Sequence, residues 1–243
     1  MKRICLLLSL GLLLTFSSCE VLNTGAVGSV LKDINLGDPS STEISQALKQ
    51  ALEIGTNEGT SRLSAKDGFL GNLAVKILFP PEAEKVEKTL RSLGLNSLCD
   101  NIILSLNRAA ENAAVEAKPI FIAAIRQMTI ADATNILLGD ENAATQYFKR
   151  TTSAELMKKF RPVVAQSLGE VNATKYWSDA IGQYNRIPMV KPIDTDLSQY
   201  VAQKAIDGLF NEIAKEELKI RGNFTARSSV LLQKVFGYAD RMK

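Results

Sequence analysis

Apolar residues recur along most of this chain at intervals of three and four, which is the spacing of one face of an α-helix. The clearest apolar stripe consists of Cys99, Ile103, Leu106, Ala110, Ala113 and Ala117. A second stripe consists of Ala202, Ile206, Leu209, Ile213 and Ile220. Three acid–base pairs are expected on the exposed side of the second helix, namely Glu212–Lys215, Glu216–Lys219 and Glu217–Arg221. Both stripes predict long amphipathic helices, and the alanines of the first allow a neighbouring helix to approach closely.

Capping residues and helix breakers predict where the helices begin and end. Ser40 and Glu43 have the spacing of a capping box, so a helix is expected to begin there and to run toward Gly55 or Gly59. Further helices are expected to begin at Pro80-Pro81, at Asn96, at Thr129, at Thr152 (with Glu155 as a second capping box), at Asn172, at Leu197 and at Phe224. The last two are expected to span Leu197–Arg221 and Phe224–Ala239.

Strand signals are sparse. Ala74–Phe79 is the best β candidate, but it is short and isolated, and one strand cannot form a sheet. The pattern therefore predicts an all-α fold, a single multi-helix bundle-like domain of about eight to ten helices. This domain is expected to span residues 38–240, after a signal peptide and a short tether.

The composition excludes several kinds of chemistry. Histidine is absent, which excludes a Ser-His-Asp triad, a Cys-His dyad and any histidine metal site. The net charge of +3 falls by two when Lys2 and Arg3 leave with the signal peptide, so the whole-protein charge does not favour nucleic acid as a partner. No glycine-rich phosphate loop is present, and Asp140-Glu141 precede a predicted helix start, where acidic residues complement the helix dipole. We expect no cofactor and no metal.

The first nineteen residues have the organisation of a secretory leader. Lys2 and Arg3 form a positive segment, and the apolar run that follows, residues 4–16, is too short to span a bilayer comfortably. The stretch Phe16-Ser17-Ser18-Cys19 resembles a lipobox of the kind seen in Bacteroidetes-like bacteria, although Phe16 departs from the leucine of the usual pattern. Cleavage by the ordinary signal peptidase near Ser18, or retention as a membrane anchor, are the alternatives.

The resemblance to a lipobox implies a location in the cell. Residues 1–18 would be a lipoprotein signal peptide, and Cys19 would be the lipid attachment site of an acylated N-terminus and tether, residues 19–37. Two or three acyl chains hold a protein on a membrane far better than one does. We expect a protein of the cell envelope, lipid-anchored on the periplasmic face of the outer membrane, because no acidic run follows Glu20.

From Leu48 onward the chain carries a set of motifs that resembles one known family. These motifs are Asp67-Gly68-Phe69, Asn107-Arg108-Ala109-Ala110-Glu111, Met128-Thr129, Asp132-Ala133, Ile136-Leu137, Gly139, Ala143-Ala144-Thr145-Gln146-Tyr147-Phe148, Thr152, Leu156, Phe160 and Pro162. The chain resembles the bacterial envelope family known as domain of unknown function 4197 over nearly the whole predicted domain. The resemblance implies a helical, exported and often lipid-anchored protein, and it supplies no catalytic residues.

Four polar residues are candidates for a ligand site. Asn107, Arg108 and Glu111 form a cluster within the first long helix, where Arg108 would hold an anion and Glu111 would act as a base. Asp132 is the fourth candidate. The structural interpretation is that Arg108 and Glu111 form an intrahelical pair, and that Asp132 closes a capping box with Thr129.

Three further groups have both a functional and a structural interpretation. A basic group could contact anionic headgroups or form a solvated face: Lys149, Arg150, Lys158, Lys159 and Arg161. An aromatic group could contact a ligand or pack in the core: Tyr176, Trp177 and Tyr184. Cys99 lies on the apolar stripe and is expected to be a buried, inert thiol.

Two classes of function follow from these observations, and a purely structural spacer is a third possibility. The first is a non-enzymatic binding module that contacts the membrane through its N-terminal lipid and binds an envelope protein or a small apolar or anionic ligand. The second is a carboxylate-based hydrolase or lyase that uses Glu111, Asp132 and Arg108. An enzyme would bring these carboxylates together in a partly enclosed pocket, whereas a binding module would present an apolar groove.

Overall fold

The computed structural model describes residues 37–242, apart from 171, 172, 187, 190 and 195. The predicted signal peptide, Cys19 and nearly all of the tether lie outside the described residues, as does the helix start expected at Asn172.

The described residues are helical and contain no β-strand, so the prediction of an all-α fold is confirmed. The α-helices are α1 (Ser41–Ser64), α2 (Glu84–Ser92), α3 (Asn96–Ala114), α4 (Ala117–Gln127), α5 (Ile130–Leu138), α6 (Ala143–Glu170), α7 (Ala173–Tyr184), α8 (Leu197–Gly222) and α9 (Val230–Met242). Short 3-10 turns at Pro81–Ala83 and Phe224–Ala226 precede α2 and α9.

Helix α8 lies at the centre of the fold. It packs against α1, α3 and α6, and buried residues cover nearly its whole length. The apolar stripe predicted from Cys99 to Ala117 is buried, as the sequence pattern indicated, but its last member, Ala117, belongs to α4 because α3 ends at Ala114. The described helices share one continuous apolar core.

Helix α1 begins as predicted and ends later than predicted. Both hydrogen bonds of the capping box between Ser40 and Glu43 are present. The expected end at Gly55 or Gly59 is wrong, because the helix continues to Ser64. Both glycines are buried where α1 crosses α8. A Cβ on Gly55 would lie only 3.3 Å from Glu216 Cβ, so the missing side chain allows close helix packing and does not end the helix.

The capping box predicted at Thr152 and Glu155 is also wrong. Both residues lie inside α6, which runs without interruption from Ala143. Thr152 is buried, and its hydroxyl donates to the Phe148 carbonyl oxygen at 2.7 Å. A threonine inside a helix can donate to the carbonyl oxygen of the preceding turn, and its spacing from a following glutamate is then the same as in a capping box, although it caps no helix.

The C-terminal helix is predicted to begin at Phe224, but in the structure it begins later, at Val230. The residues between them include Arg227, which caps the end of α8. Arg227 is 3% exposed. Its Nε donates to the Ile220 carbonyl oxygen at 3.1 Å, and a terminal nitrogen donates to the Arg221 carbonyl oxygen at 2.7 Å. A cation on the last carbonyl groups also complements the helix dipole. Helix α9 starts only after this closure, at Val230.

Within the described residues, no single helix combines the length and the apolarity needed to cross a membrane. The segment Asn96–Gln127 taken with Ile130–Leu138, bent by 104° at their junction, meets that test by length and composition alone.

Candidate functional site

The chain makes a sharp turn directly after α1. Asp67 has a positive φ of 66°, and a Cβ on Gly68 would lie 2.3 Å from the Arg62 carbonyl oxygen, so only glycine fits there. The turn inserts the Phe69 ring, which is fully buried, against α8. A Cβ on Gly208 of α8 would lie 2.7 Å from this ring.

Glu111 of α3 holds this turn. Its side chain is 4% exposed, and one carboxylate oxygen accepts hydrogen bonds from the backbone N–H groups of Phe69 (3.2 Å) and Leu70 (3.4 Å). Its other oxygen accepts from Arg108, which also donates to Asp67 at 2.7 Å. Hydrogen bonds to Glu111 and then to Asp67 raise the pKa of Arg108.

Asn107 holds the segment that follows the turn. Its Oδ1 accepts from the Ile77 N–H at 2.9 Å, and its Nδ2 donates to the Ile77 carbonyl oxygen at 2.8 Å and to the Ile103 carbonyl oxygen at 2.7 Å. The segment Ala74–Phe79, the best β candidate in the sequence, is irregular and forms no strand, in agreement with the all-α prediction. The Asn107 amide provides the pair of hydrogen bonds that a neighbouring strand would provide.

The structure thus brings three of the four candidates together and leaves the fourth elsewhere. Asp132 accepts from the Thr129 N–H at 3.0 Å and from its hydroxyl at 2.7 Å, and Thr129 Oγ1 accepts from the Asp132 N–H at 3.0 Å. Hydrogen bonds from the Thr129 hydroxyl and then from its N–H lower the pKa of Asp132. Among the described residues, Asp132 makes no hydrogen bond or ion pair with Glu111 or Arg108. The three groups that the enzyme alternative requires are not assembled.

Three carboxylates on α8 are buried, although their spacing in the sequence is typical of an exposed face. Glu212, Glu216 and Glu217 are 2%, 5% and 8% exposed, so the expected placement of their ion pairs on the exposed side is wrong. The pairs themselves form. Arg62 of α1 adds bonds of 2.9 Å to Glu212 and 2.6 Å to Glu216. The sequence does contain a signal for this burial. Gly55 and Gly59, four residues apart, leave one face of α1 without side chains, so that α1 packs closely over Glu216 and Glu212.

Glu217 and Arg221 connect two other helices. The Glu217 carboxylate accepts from the Ala144 N–H (2.9 Å), the Thr145 N–H (2.9 Å) and the Thr145 hydroxyl (2.8 Å), so it caps the N-terminus of α6 from another element. Arg221 donates to Glu217 and to the carbonyl oxygens that end α5, at 3.0 Å and 2.8 Å. Each charge complements the helix end that it contacts.

The remaining candidates have structural partners or lie on the surface. In the basic group, Arg161 forms an ion pair with Asp196 at 2.8 Å. In the aromatic group, the Trp177 ring is buried, and its centroid lies 5.7 Å from the centroid of the Phe79 ring. Tyr184 is partly buried against the core, and the side chain of Tyr176 lies outside the described part. The prediction of a buried Cys99 is confirmed, and burial raises the pKa of its thiol. No three acidic or cysteine side chains within the described residues are grouped to hold a metal ion.

An open groove lies between α4 and α6. Its volume is about 520 Å³, and its floor contains Pro119, Ile120, Ala123 and the ring of Tyr147. The Tyr147 hydroxyl donates to the Ala124 carbonyl oxygen at 3.4 Å, and burial, then the nearby charge of Asp132, raises its pKa. The groove offers an apolar surface between two helices, and Glu116, Glu155 and Lys159 also line it.

Comparison with known proteins identifies a family and no individual relative. No curated protein and no solved structure matches the chain. One family model, described as a protein of unknown function, DUF4197, matches residues 38–237. This range covers nearly all of the helical body, including the turn after α1, the Asn107–Glu111 cluster and the groove. The chain belongs to the DUF4197 family.

Proposed function

We propose that this chain is a lipid-anchored protein of the bacterial cell envelope whose helical body binds a partner and catalyses no reaction. The observation that carries the binding role is the groove between α4 and α6. Its volume of about 520 Å³ and its apolar floor have the size and character of a recognition surface. Ala123 is exposed within it and leaves room for the side chains of a bound partner.

The polar clusters support a binding role over catalysis. Each has its hydrogen-bonding capacity directed at the protein's own backbone: Glu111 at the turn after α1, Asn107 at Ile77, and Glu217 at the start of α6. A catalytic acid or base must reach a substrate atom, and a carboxylate that holds backbone N–H groups in place is committed to the fold.

Crosslinking in intact cells tests the binding role. A photoreactive amino acid is placed at Ala123 in the groove, and, as a matched control, at Ala165, an exposed alanine of α6 that does not line the groove. We expect one reproducible adduct from position 123 and none from position 165. The same adducts from both positions, or none from either, would remove the support for a groove-mediated partner.

The proposed location at the membrane depends on lipid attachment at Cys19 and has a separate test. Mass spectrometry of the N-terminal peptide of protein purified from membranes is expected to show Cys19 as the first residue, carrying acyl chains. A Cys19→Ala variant is expected to leave the membrane fraction or to retain its leader. An N-terminal peptide without acyl mass would overturn the lipid anchor and leave the groove proposal standing.

A further inference from the structure

The groove between α4 and α6 has two different ends. Tyr147, near the start of α6, contacts Ala124, near the end of α4, and Glu155, two turns further along α6, lines the same groove as Glu116 at the start of α4, so the two helices run in opposite directions. Gln127 lies at the end next to Tyr147, where the Arg150 guanidinium stacks on the Tyr147 ring at 5.6 Å from its centroid, and Thr151 lies midway along the groove. Glu116 and Glu155 line the other end from opposite walls. If the helices ran in parallel, these two carboxylates would be separated by about 24 Å along the axis and would not share a groove.

The charged end carries an excess of negative charge. Neither Glu116 nor Glu155 forms an ion pair within the described residues. Lys159, one turn beyond Glu155, also lines the groove without an ion-pair partner in the same part of the chain. Lys159 can neutralise one carboxylate, which leaves one net negative charge facing the groove. A cation on the occupant would offset this negative charge.

The walls of the groove exclude a strand and disfavour a small ligand as occupant. Both walls are α-helices, whose backbone N–H and C=O groups are bonded within the helix, so an extended peptide finds no edge to pair with. The groove is open to solvent along its length, whereas a small-molecule site buries most of its ligand. An α-helix satisfies its own backbone and needs only an apolar stripe to fill the groove.

We propose that the groove binds an amphipathic α-helix of a partner protein that carries a basic residue at the end facing Glu116 and Glu155. This inference rests on the binding role proposed above and names the chemistry of the partner. The wall formed by residues 116–127 is about 17 Å long, so the bound segment makes about three turns. Its apolar side chains at i, i+3 or i+4, and i+7 pack over Ile120 and Ala123.

Selection from a displayed library of helical peptides tests the proposal without knowledge of the natural partner. The library holds about fifteen positions in a helical frame and varies them freely. It is selected on the purified full chain and counter-selected on an Ala123→Trp variant, whose indole fills the groove. An Ala165→Trp variant is the control for a tryptophan on the same surface, and circular dichroism checks that both variants are folded.

The expected result is a set of peptides with an apolar stripe at helical spacing and lysine or arginine at one end. They should bind the Ala165→Trp variant as they bind the original chain, and they should bind Ala123→Trp at least tenfold more weakly. The double variant Glu116→Gln/Glu155→Gln should weaken binding about three- to tenfold at low salt, and the difference should shrink at high salt.

Each other outcome separates this inference from the function on which it rests. Groove-dependent peptides that lack basic residues, or that bind the double glutamine variant equally well, overturn the charge preference and leave the binding role intact. No enriched peptide, together with a specific adduct from position 123 in cells, overturns the helical occupant alone. No enriched peptide and no adduct overturn both proposals.

Discussion

Replacing Glu217 by alanine should destabilise the fold more than any change to an exposed carboxylate. The substitution removes three hydrogen bonds from the first turn of α6. It also leaves Arg221, whose side chain is 9% exposed, without its carboxylate partner. Loss of a helix cap costs about 1–2 kcal/mol. Removal of one member of a buried ion pair costs about 3–5 kcal/mol, and Arg221 would keep only its two hydrogen bonds to carbonyl oxygens of α5 to offset its charge.

These two effects overlap, because both arise from the same carboxylate, so we expect a loss of about 4 kcal/mol. Urea denaturation of the purified protein, followed by far-UV circular dichroism, measures it. With a denaturant dependence of about 3 kcal/mol per M, the midpoint should fall by about 1.3 M. The matched control is Glu53→Ala on α1, which is exposed and forms no ion pair within the described residues, and should change stability by less than about 0.5 kcal/mol.

The Glu217→Gln variant separates the two contributions. Glutamine keeps an acceptor oxygen for the first turn of α6 and loses the charge that balances Arg221, so its cost should lie between those of the control and the alanine variant. A Glu217→Ala protein that unfolds within about 1 kcal/mol of the original chain would refute the reasoning. In that case water would replace the carboxylate at the start of α6 and beside Arg221, and the burial of this pair would not determine stability.

Three other predictions concern Asn107, which holds the segment after the turn, Gly68 in the turn itself, and Glu43 in the capping box of α1. Asn107→Leu should cost about 3 kcal/mol, because it leaves the buried N–H and C=O of Ile77 unpaired, and hydrogen exchange at the Ile77 amide should accelerate. Gly68→Ala should lower the thermal midpoint strongly, since its Cβ would lie 2.3 Å from a backbone oxygen. Glu43 has its pKa lowered from 4.5 to about 2, first by the hydrogen bond from Lys234. The stability that Glu43 contributes is therefore complete above pH 4.5 and disappears as the pH falls toward about 2.

Each of these predictions has an outcome that would contradict it. Unchanged exchange at Ile77 in the Asn107→Leu protein would mean that another group holds the segment. Gly169→Ala is the control for Gly68→Ala, because nothing lies within 4 Å of its added Cβ, and it should be neutral or stabilising. Equal effects of Gly68→Ala and Gly169→Ala on the thermal midpoint would exclude crowding of the added Cβ at position 68 as the cause. An NMR titration that places Glu43 near 4.5 would show that the Lys234 contact does not persist in solution.

The sequence by itself determined most features that depend on residues within one or two turns, although the capping box predicted at Thr152 and Glu155 does not form. The capping boxes of Ser40 with Glu43 and of Thr129 with Asp132 form as their spacing predicts. The apolar period of α8 predicted its extent to within one residue at its C-terminal end. These features are predictable because both partners lie on the same short segment, so the spacing along the chain fixes their distance in space.

Tertiary structure decided the features whose partners lie far along the chain. Gly55 sits inside a helix and not at its end because α8 crosses there, and Ala74–Phe79 is irregular because the Asn107 amide takes the place of a second strand. The three glutamates of α8 have the spacing of solvent-exposed ion pairs, and they are buried because Arg62 and the start of α6 approach them. Sequence spacing gives the face of a helix on which a residue lies. Only packing determines whether that face meets water or another helix.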